Sequence, residues 1–242
     1  MLINILILIA SLIPSVLILV WMYRRKKDDA LYRKSCNSAL IRGLVCVAPI
    51  LLLSGVLFFL TGFLRISVLG TVDVLVYKAL YTFIVLAFAE ELIKYLAFRF
   101  LLKKKFHADS WADVVAYMVI IGTAFGLMED LPYAIDASPI MMLVRGFTMG
   151  HVGYAFLMGR FYGKRLATGK KRYGVLAFGI PFLLHGLYDF SLTPELIERN
   201  EAFAVIGVLL AVTDLVLIGL MIAFFVRAKK QERYSEPLTA IE

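Results

Sequence analysis

The stretch AFAEELIKYL at residues 87–96 places three charged side chains inside an otherwise apolar run. Glu90, Glu91 and Lys94 lie near the middle of a segment that is long enough to cross a bilayer as a helix. A charge at the bilayer centre costs about 3 kcal/mol or more. We therefore expect these three groups to pair with one another, to line a cavity or to take part in chemistry.

The composition extends this interpretation to the whole chain of 242 residues. Hydrophobic residues make up 61% of it, and apolar segments of membrane-spanning length recur along it. These features predict an all-α fold, a single polytopic bundle of transmembrane helices over residues 1–242 in the lipid bilayer of the cell membrane. The two cysteines, Cys36 and Cys46, indicate neither a disulfide framework nor a thiolate metal site.

Seven membrane spans are predicted, at residues 2–23, 44–64, 79–102, 111–130, 139–160, 173–192 and 202–226. Lysine and arginine cluster after the first, third, fifth and seventh spans and are sparse after the others. The positive-inside rule then places the N-terminus outside and the C-terminus, with a polar tail at 227–242, in the cytoplasm. The loops account for the net charge of +8, so we do not expect nucleic acid as a partner.

Some segments have purely local interpretations. The run at 2–23 is too long for a signal-peptide core and lacks a charged n-region, so it is interpreted as a retained helix. The segment 28–43 is either an interfacial amphipathic helix or an ordinary polar loop.

Ser110 with Asp113 resembles a capping box that opens span four. Three glycine pairs with a spacing of four favour close packing of spans four and five, namely Gly122/Gly126, Gly146/Gly150 and Gly159/Gly163.

The spacing inside 87–96 leaves one carboxylate short of a partner. Glu90 and Lys94 are four residues apart and Glu91 and Lys94 are three apart, so both glutamates can reach the same lysine on a helix. One lysine neutralises one carboxylate. The other needs a metal ion, a proton or a histidine, and such a carboxylate can act as a general base toward water.

Two histidines fall inside other spans. His151 lies in span five, and His185 lies in span six with Asp189 four residues later, where a carboxylate can orient an imidazole or share a metal ion with it. At about 1.5 Å rise per residue, Glu90, His151 and His185 lie roughly 16, 18 and 10 Å below the outer ends of their spans. These depths predict that the three side chains meet in one pocket.

The other polar residues have simpler interpretations. The third histidine, His107, follows a lysine run and is expected to be solvated. Glu129 and Asp130 are expected at a solvated end of span four near the outer interface, where acids cost little. Asp214 is interpreted as a structural acid in span seven, and Arg145 is the remaining charge inside a span.

Three function classes fit the residues alone. A hydrolase would use the carboxylates and imidazoles on water, whereas a proton-coupled transporter or relay would pass protons along the same groups. A non-catalytic membrane scaffold would bind a partner in the same cavity. The chain has no internal repeat, and many transporters have one.

Four motifs in order resemble the PrsW-type intramembrane proteases, which are similar in turn to the CAAX prenyl endopeptidases and bacteriocin-processing enzymes. They are EELIK at 90–94 (EExxK), EDLPY at 129–133 (ExxxY), FTMGH at 147–151 (FxxxH) and HGLYD at 185–189 (HxxxD). The residue before Glu129 is Met128, where the family usually has phenylalanine. The resemblance covers about 79–192, which it implies is the catalytic core of the domain.

The resemblance implies an endopeptidase that cuts a single-pass, membrane-tethered substrate of the anti-sigma-factor type and so begins regulated proteolysis. On this hypothesis Glu90 takes a proton from water, and Glu91 supports it or alternates with it. Lys94 holds the pair, and Glu129 and Tyr133 of the second motif are supporting residues.

The role of a metal is open at this point. In one alternative, Glu90, His151 and His185 bind Zn²⁺ and leave a position for water. In the other, His151 orients the water and His185 with Asp189 stabilises the oxyanion without a metal. The sequence contains no HExxH motif, whose spacing would have decided for a metal.

Overall fold

The structure, a computed structural model, describes residues 2–67, 73–103, 107–136 and 139–232, and all regular structure in these ranges is helical. The helices are α1 (Leu2–Arg24), α2 (Ala30–Val45), α3 (Val47–Ser67), α4 (Val74–Ala79), α5 (Phe88–Lys103), α6 (Trp111–Asp136), α7 (Pro139–Thr148), α8 (Gly150–Thr168), α9 (Arg172–Ser191), α10 (Pro194–Arg199) and α11 (Ala202–Glu232). A π-helical stretch, Leu80–Ala87, joins α4 to α5. The end of the predicted polar tail, 233–242, lies outside the described residues.

Five stretches of the described chain are long and apolar enough to cross a membrane: Leu6–Arg24, Ala30–Phe63, Trp111–Leu131, Arg172–Ser191 and Ala202–Lys229. They confirm the all-α membrane fold and correspond to the predicted first, second, fourth, sixth and seventh spans. The other two predicted spans are divided, the third by the π-helical stretch and the fifth between α7 and α8. The number of seven membrane crossings and the orientation of the chain in the membrane stay predictions.

Most of the segment 28–43 belongs to helix α2, Ala30–Val45, so it is not a loop; its interfacial position stays a prediction. The carboxylate of Asp29 caps α2 by accepting from the backbone N–H of Tyr32 at 2.9 Å. Tyr32, Cys36 and Ala39 form a buried face of α2, and this helix packs against α6. α2 is therefore part of the bundle and not a solvated loop.

The helix of the predicted fifth span is not continuous. Met149 adopts a left-handed conformation (φ 46°, ψ 46°), which ends α7 and begins α8. Such a conformation is costly for a residue with a side chain and is often found at functional sites. It places His151 in the first turn of α8. Phe147 of the FxxxH motif is 56% exposed on α7 and does not line the candidate site described below.

Close packing of α6 against α8 forms the centre of the bundle. A Cβ on Gly122 would overlap Ala155 and come within 2.7 Å of the backbone oxygen of His151. A Cβ on Gly159 would come within 3.0 Å of Val115 Cα. The pairs Gly122/Gly126 and Gly159/Gly163 thus have the predicted effect between these helices. In the third pair, a Cβ on Gly146 would instead meet Ser11 of α1, and one on Gly150 would meet Asp214 of α11.

Replacing Gly122 by Ala will destabilise the protein and reduce its activity. The new methyl group has to displace the backbone that carries His151, and overpacking of this kind costs about 1–3 kcal/mol. Thermal unfolding midpoints in detergent will measure the loss. Gly179→Ala on α9 is the matched control, because a Cβ there has no neighbour within 4 Å. Equal midpoints for the two variants would refute the close contact.

A buried ion cluster holds the beginning of α6. Asp113 Oδ2 accepts from the backbone N–H groups of Asp109 and Ser110 at 2.9 and 3.1 Å. The bond from Ser110 is one of the two that the predicted capping box requires. The same oxygen lies 2.8 Å from Lys26 Nζ. Its Oδ1 pairs with Arg25 at the end of α1. The cluster therefore joins the first helix to the central helix.

His107 is not simply solvated, contrary to the prediction. Its Nε2 lies 2.9 Å from Asp109 Oδ1 and 3.4 Å from Asp29 Oδ2, because the loop before α6 folds back onto the start of α2. Burial raises the pKa of Asp109, but the hydrogen bond and charge of Lys26 and the neighbouring His107 outweigh it, so the pKa lies below its ordinary value.

Asp113→Asn will lower the free energy of unfolding by about 3–5 kcal/mol, the cost of removing one partner from a buried ion pair. Unfolding in mixed micelles will measure it. Asp109→Asn is the control: that side chain is 41% exposed, and an exposed pair contributes about 1 kcal/mol or less. A loss at Asp113 no larger than at Asp109 would contradict the buried role.

Candidate functional site

The three side chains predicted to meet do lie together. Glu90 of α5, His151 of α8 and His185 of α9 each present a possible ligand atom, and these atoms lie within 4.8 Å of one another. The two imidazole rings are 5.1 Å apart between centroids and nearly perpendicular, at 83°. The depths in the membrane that were estimated from helical rise were therefore sufficient to predict that these three side chains meet.

Local structure explains how α5 and α9 present these groups. The π-helical stretch ends at Ala87, so Glu90 and Glu91 lie in the first turn of the regular helix that follows it. π-helical turns are rare and often occur at functional sites. Gly186, next to His185, allows close contact with this stretch, since a Cβ there would overlap the ring of Phe83.

Glu91 makes two close polar contacts through one carboxylate oxygen. Its Oε1 lies 2.6 Å from Lys94 Nζ and 2.9 Å from Nδ1 of His185, and all three residues are buried. An ionised carboxylate can only accept, so this contact places the hydrogen of the imidazole on Nδ1. The Nε2 atom of His185 is then the nitrogen left for other partners, one of which is Asp189.

Glu90 has a different environment, although it is adjacent in sequence. Its Oε2 is buried and has no hydrogen-bond partner among the described residues. Lys94 Nζ and His185 Nε2 each lie 3.9 Å from it. A buried carboxylate oxygen without a partner is costly, and such an atom often marks a catalytic role or a missing ion. The structure thus separates two glutamates that the sequence left equivalent.

His151 is held on both ring nitrogens. Its Nδ1 lies 3.1 Å from Lys94 Nζ, and its Nε2 contacts Glu129 Oε2. The ring of Phe125 packs edge-on against it at 5.0 Å. In the same way, Asp189 Oδ2 lies 3.2 Å from His185 Nε2, as the spacing of four residues predicted.

Glu129 and Asp130 are not at a solvated helix end, contrary to the prediction. α6 continues to Asp136, so both acids remain inside the bundle, where Arg145 Nη2 donates to Glu129 at 2.9 Å and Arg145 Nε donates to Asp130 at 3.3 Å. The helix includes Pro132, which membrane helices tolerate because neighbouring groups satisfy the freed backbone. The side chain of Tyr133 lies outside the described residues.

Two members of the site had no motif to reveal them. The ring of Tyr154 stacks on His185 at 5.5 Å and 23°, and its hydroxyl lies 3.5 Å from Oδ2 of the buried Asp214. The only signal was spacing, since Tyr154 follows His151 by three residues on one helix. Asp214 is therefore buried next to the site and joins α11 to it.

The donor set fits a metal ion. It consists of one carboxylate and two imidazoles, a combination that zinc and similar divalent ions favour, and Glu90 Oε2 lacks any other partner in the described chain. Beside it lies a cavity of about 40 Å³, lined by Glu129, Arg145 and both histidines, with room for a few waters at most. Asp29, His107 and Asp109 form a second group of possible ligands, but Lys26 already engages Asp109.

Comparison of the sequence with known proteins finds one family. A family model described as PrsW family intramembrane metalloprotease matches residues 37–228, which contain every member of the site. The chain is 24% identical to "Protease PrsW" of Geobacillus kaustophilus and 28% identical to that of Clostridioides difficile, over 76% of this chain and 78% of each relative. It is 30% identical to "Protease PrsW" of Oceanobacillus iheyensis over 46% of this chain and 53% of that protein. No solved structure matches.

Proposed function

We propose that this chain, which belongs to the PrsW family of intramembrane metalloproteases, hydrolyses a peptide bond of a membrane-tethered protein at Glu90, His151 and His185. The family makes it a protease and a hydrolase of the membrane. The observation that carries the choice of residues is the buried Glu90 Oε2, which has no hydrogen bond in the described chain and lies 3.9 Å from His185 Nε2.

Glu90, His151 and His185 would hold the metal ion, with zinc as the proposed ion. A bound ion would take the place of one of the two contacts of the His151 ring and of the contact between Asp189 and His185 Nε2. When bound, it would supply a Lewis acid that polarises the scissile carbonyl and makes water more acidic. Glu90 has two carboxylate oxygens, so it can bind through one and accept the proton of the attacking water at the other. A positioned carboxylate of this kind contributes about 10²–10⁴-fold to rate.

The surrounding charges keep these groups in position. Glu91 fixes the ring of His185 through Nδ1, and Lys94 neutralises Glu91 and contacts Nδ1 of His151. Glu129 contacts the other nitrogen of His151. Partners of this kind set ring orientation, and their loss commonly costs about 10–100-fold in metal affinity or activity.

The proposed substrate is a single-pass membrane protein of the anti-sigma-factor type. The support is the family resemblance and the position of the site within a bundle of membrane-spanning helices. With the predicted orientation, the outer half of the bilayer is the side from which substrate would enter.

The test is incubation of the purified protein with single-pass membrane substrates in proteoliposomes. We expect wild type to cut a substrate that Glu90→Gln and His151→Ala leave whole. Binding that persists without any cleavage by wild type would instead support a scaffold. Proton flux that is lost in Glu90→Gln, again without cleavage, would support a relay.

A further inference from the structure

A second cavity lies away from the candidate site, between the α2–α3 junction and α5. Its volume is about 470 Å³, within the range of about 300–1,000 Å³ that is usual for ligand sites. Its walls are mainly apolar and include Ile41, Val45, Ile93 and Phe100. No carboxylate is among the described residues that line it.

Arg42 is the charged residue in this groove. Its Nε is buried and has no hydrogen-bond acceptor among the described residues, and no ion pair joins Arg42 to a carboxylate of that part of the chain. Arg42 as a whole is only partly buried, so its guanidinium can also reach a group outside the protein. Since the groove offers no carboxylate, an anion that the protein does not supply can pair with it.

The position of the groove identifies the source of that anion. Its lining reaches Phe100, near the end of α5 at Lys103, and Lys103 Nζ lies 6.0 Å from the ring centroid of Phe100. The positive-inside rule assigns this end to the cytoplasmic face, where anionic headgroups lie. An apolar groove that carries an arginine toward this face suits a molecule with a hydrocarbon chain and a phosphate.

We propose that this groove binds a phospholipid with an anionic headgroup, its acyl chain against Val45 and Ile93 and its phosphate on Arg42. A guanidinium can bind two phosphate oxygens at once, which makes Arg the usual residue for such contacts. Basic pockets between membrane helices on the cytoplasmic side are known sites for such headgroups. This inference does not depend on the proposed catalytic residues.

Native mass spectrometry and thermal unfolding of the full chain in detergent will test the proposal. The probes are dioleoyl phosphatidylglycerol and dioleoyl phosphatidylcholine, which share their acyl chains and differ in net charge. We expect the first to form an adduct and raise the unfolding midpoint, and the second to do neither at the same concentration. Arg42→Gln will weaken the adduct by about 10–100-fold, the loss of one charge-assisted contact. Arg33→Gln is the matched control at an exposed position of α2, and it will leave the adduct unchanged.

A second variant tests the hydrocarbon part. Val45 is 61% exposed at the edge of the groove, so Val45→Trp will fill it without disturbing the core and will abolish the phosphatidylglycerol adduct although Arg42 remains. Inorganic phosphate that raises the midpoint as much as the lipid would overturn the proposal in favour of a free-anion site. An Arg42-dependent dimer mass in place of a lipid adduct would overturn it in favour of a second copy of the chain.

Discussion

Replacing Glu90 by Gln will reduce peptide cleavage by about 10²–10⁴-fold, because it removes the proposed proton acceptor. The same change at Glu91 will reduce cleavage by about 10–100-fold, since Glu91 acts through His185 and does not face the reacting water. The two variants share one chemical change at adjacent positions, so each controls for the other. Initial rates on one membrane substrate will measure both.

The unfolding midpoint will respond in the opposite order: Glu91→Gln will lower it more than Glu90→Gln. In chelator-treated protein, Glu90→Gln will leave the unfolding midpoint unchanged or raise it, because the replaced carboxylate oxygen is buried without a hydrogen bond. Glu91→Gln will lower it, since Lys94 loses the carboxylate 2.6 Å from its Nζ. Full cleavage by Glu90→Gln together with its loss in Glu91→Gln would reverse the assigned roles.

Removing either histidine will remove the metal ion and the activity together. We expect purified wild type to carry about one divalent ion per chain and His151→Ala and His185→Ala to carry almost none, because binding through two ligands is much weaker than through three. Elemental analysis of the detergent-purified proteins will measure the content. A chelator will abolish cleavage by wild type, and added zinc will restore it.

His107→Ala is the matched control for metal content. His107 belongs to the other group of possible ligands, with Asp29 and Asp109, and lies in the loop before α6. This variant will retain both metal and cleavage. Loss of the ion in His107→Ala with retention in His185→Ala would place the metal in that loop and contradict the proposed site.

The convergence of Glu90, His151 and His185 could be predicted from the sequence for a simple reason. Helical rise fixes the depth of a residue in a span, and a charge in an apolar run has to face other polar groups. The division of roles between Glu90 and Glu91 could not be predicted. Both positions reach Lys94 on a helix, and the choice depends on where α9 places His185.

Other features depended on long-range contacts that no local pattern records. The break at Met149 requires a left-handed methionine, which has no sequence signature. The position of Glu129 depended on how far α6 continues past Pro132. Tyr154 and Asp214 come together only because α8 packs against α11.

X-ray absorption spectroscopy at the metal edge of the purified protein will show which side chains bind the ion. We expect two imidazole ligands in wild type, and loss of that signal in both His151→Ala and His185→Ala. A wild-type spectrum without histidine ligands, or one that neither substitution changes, would contradict a centre built from α5, α8 and α9.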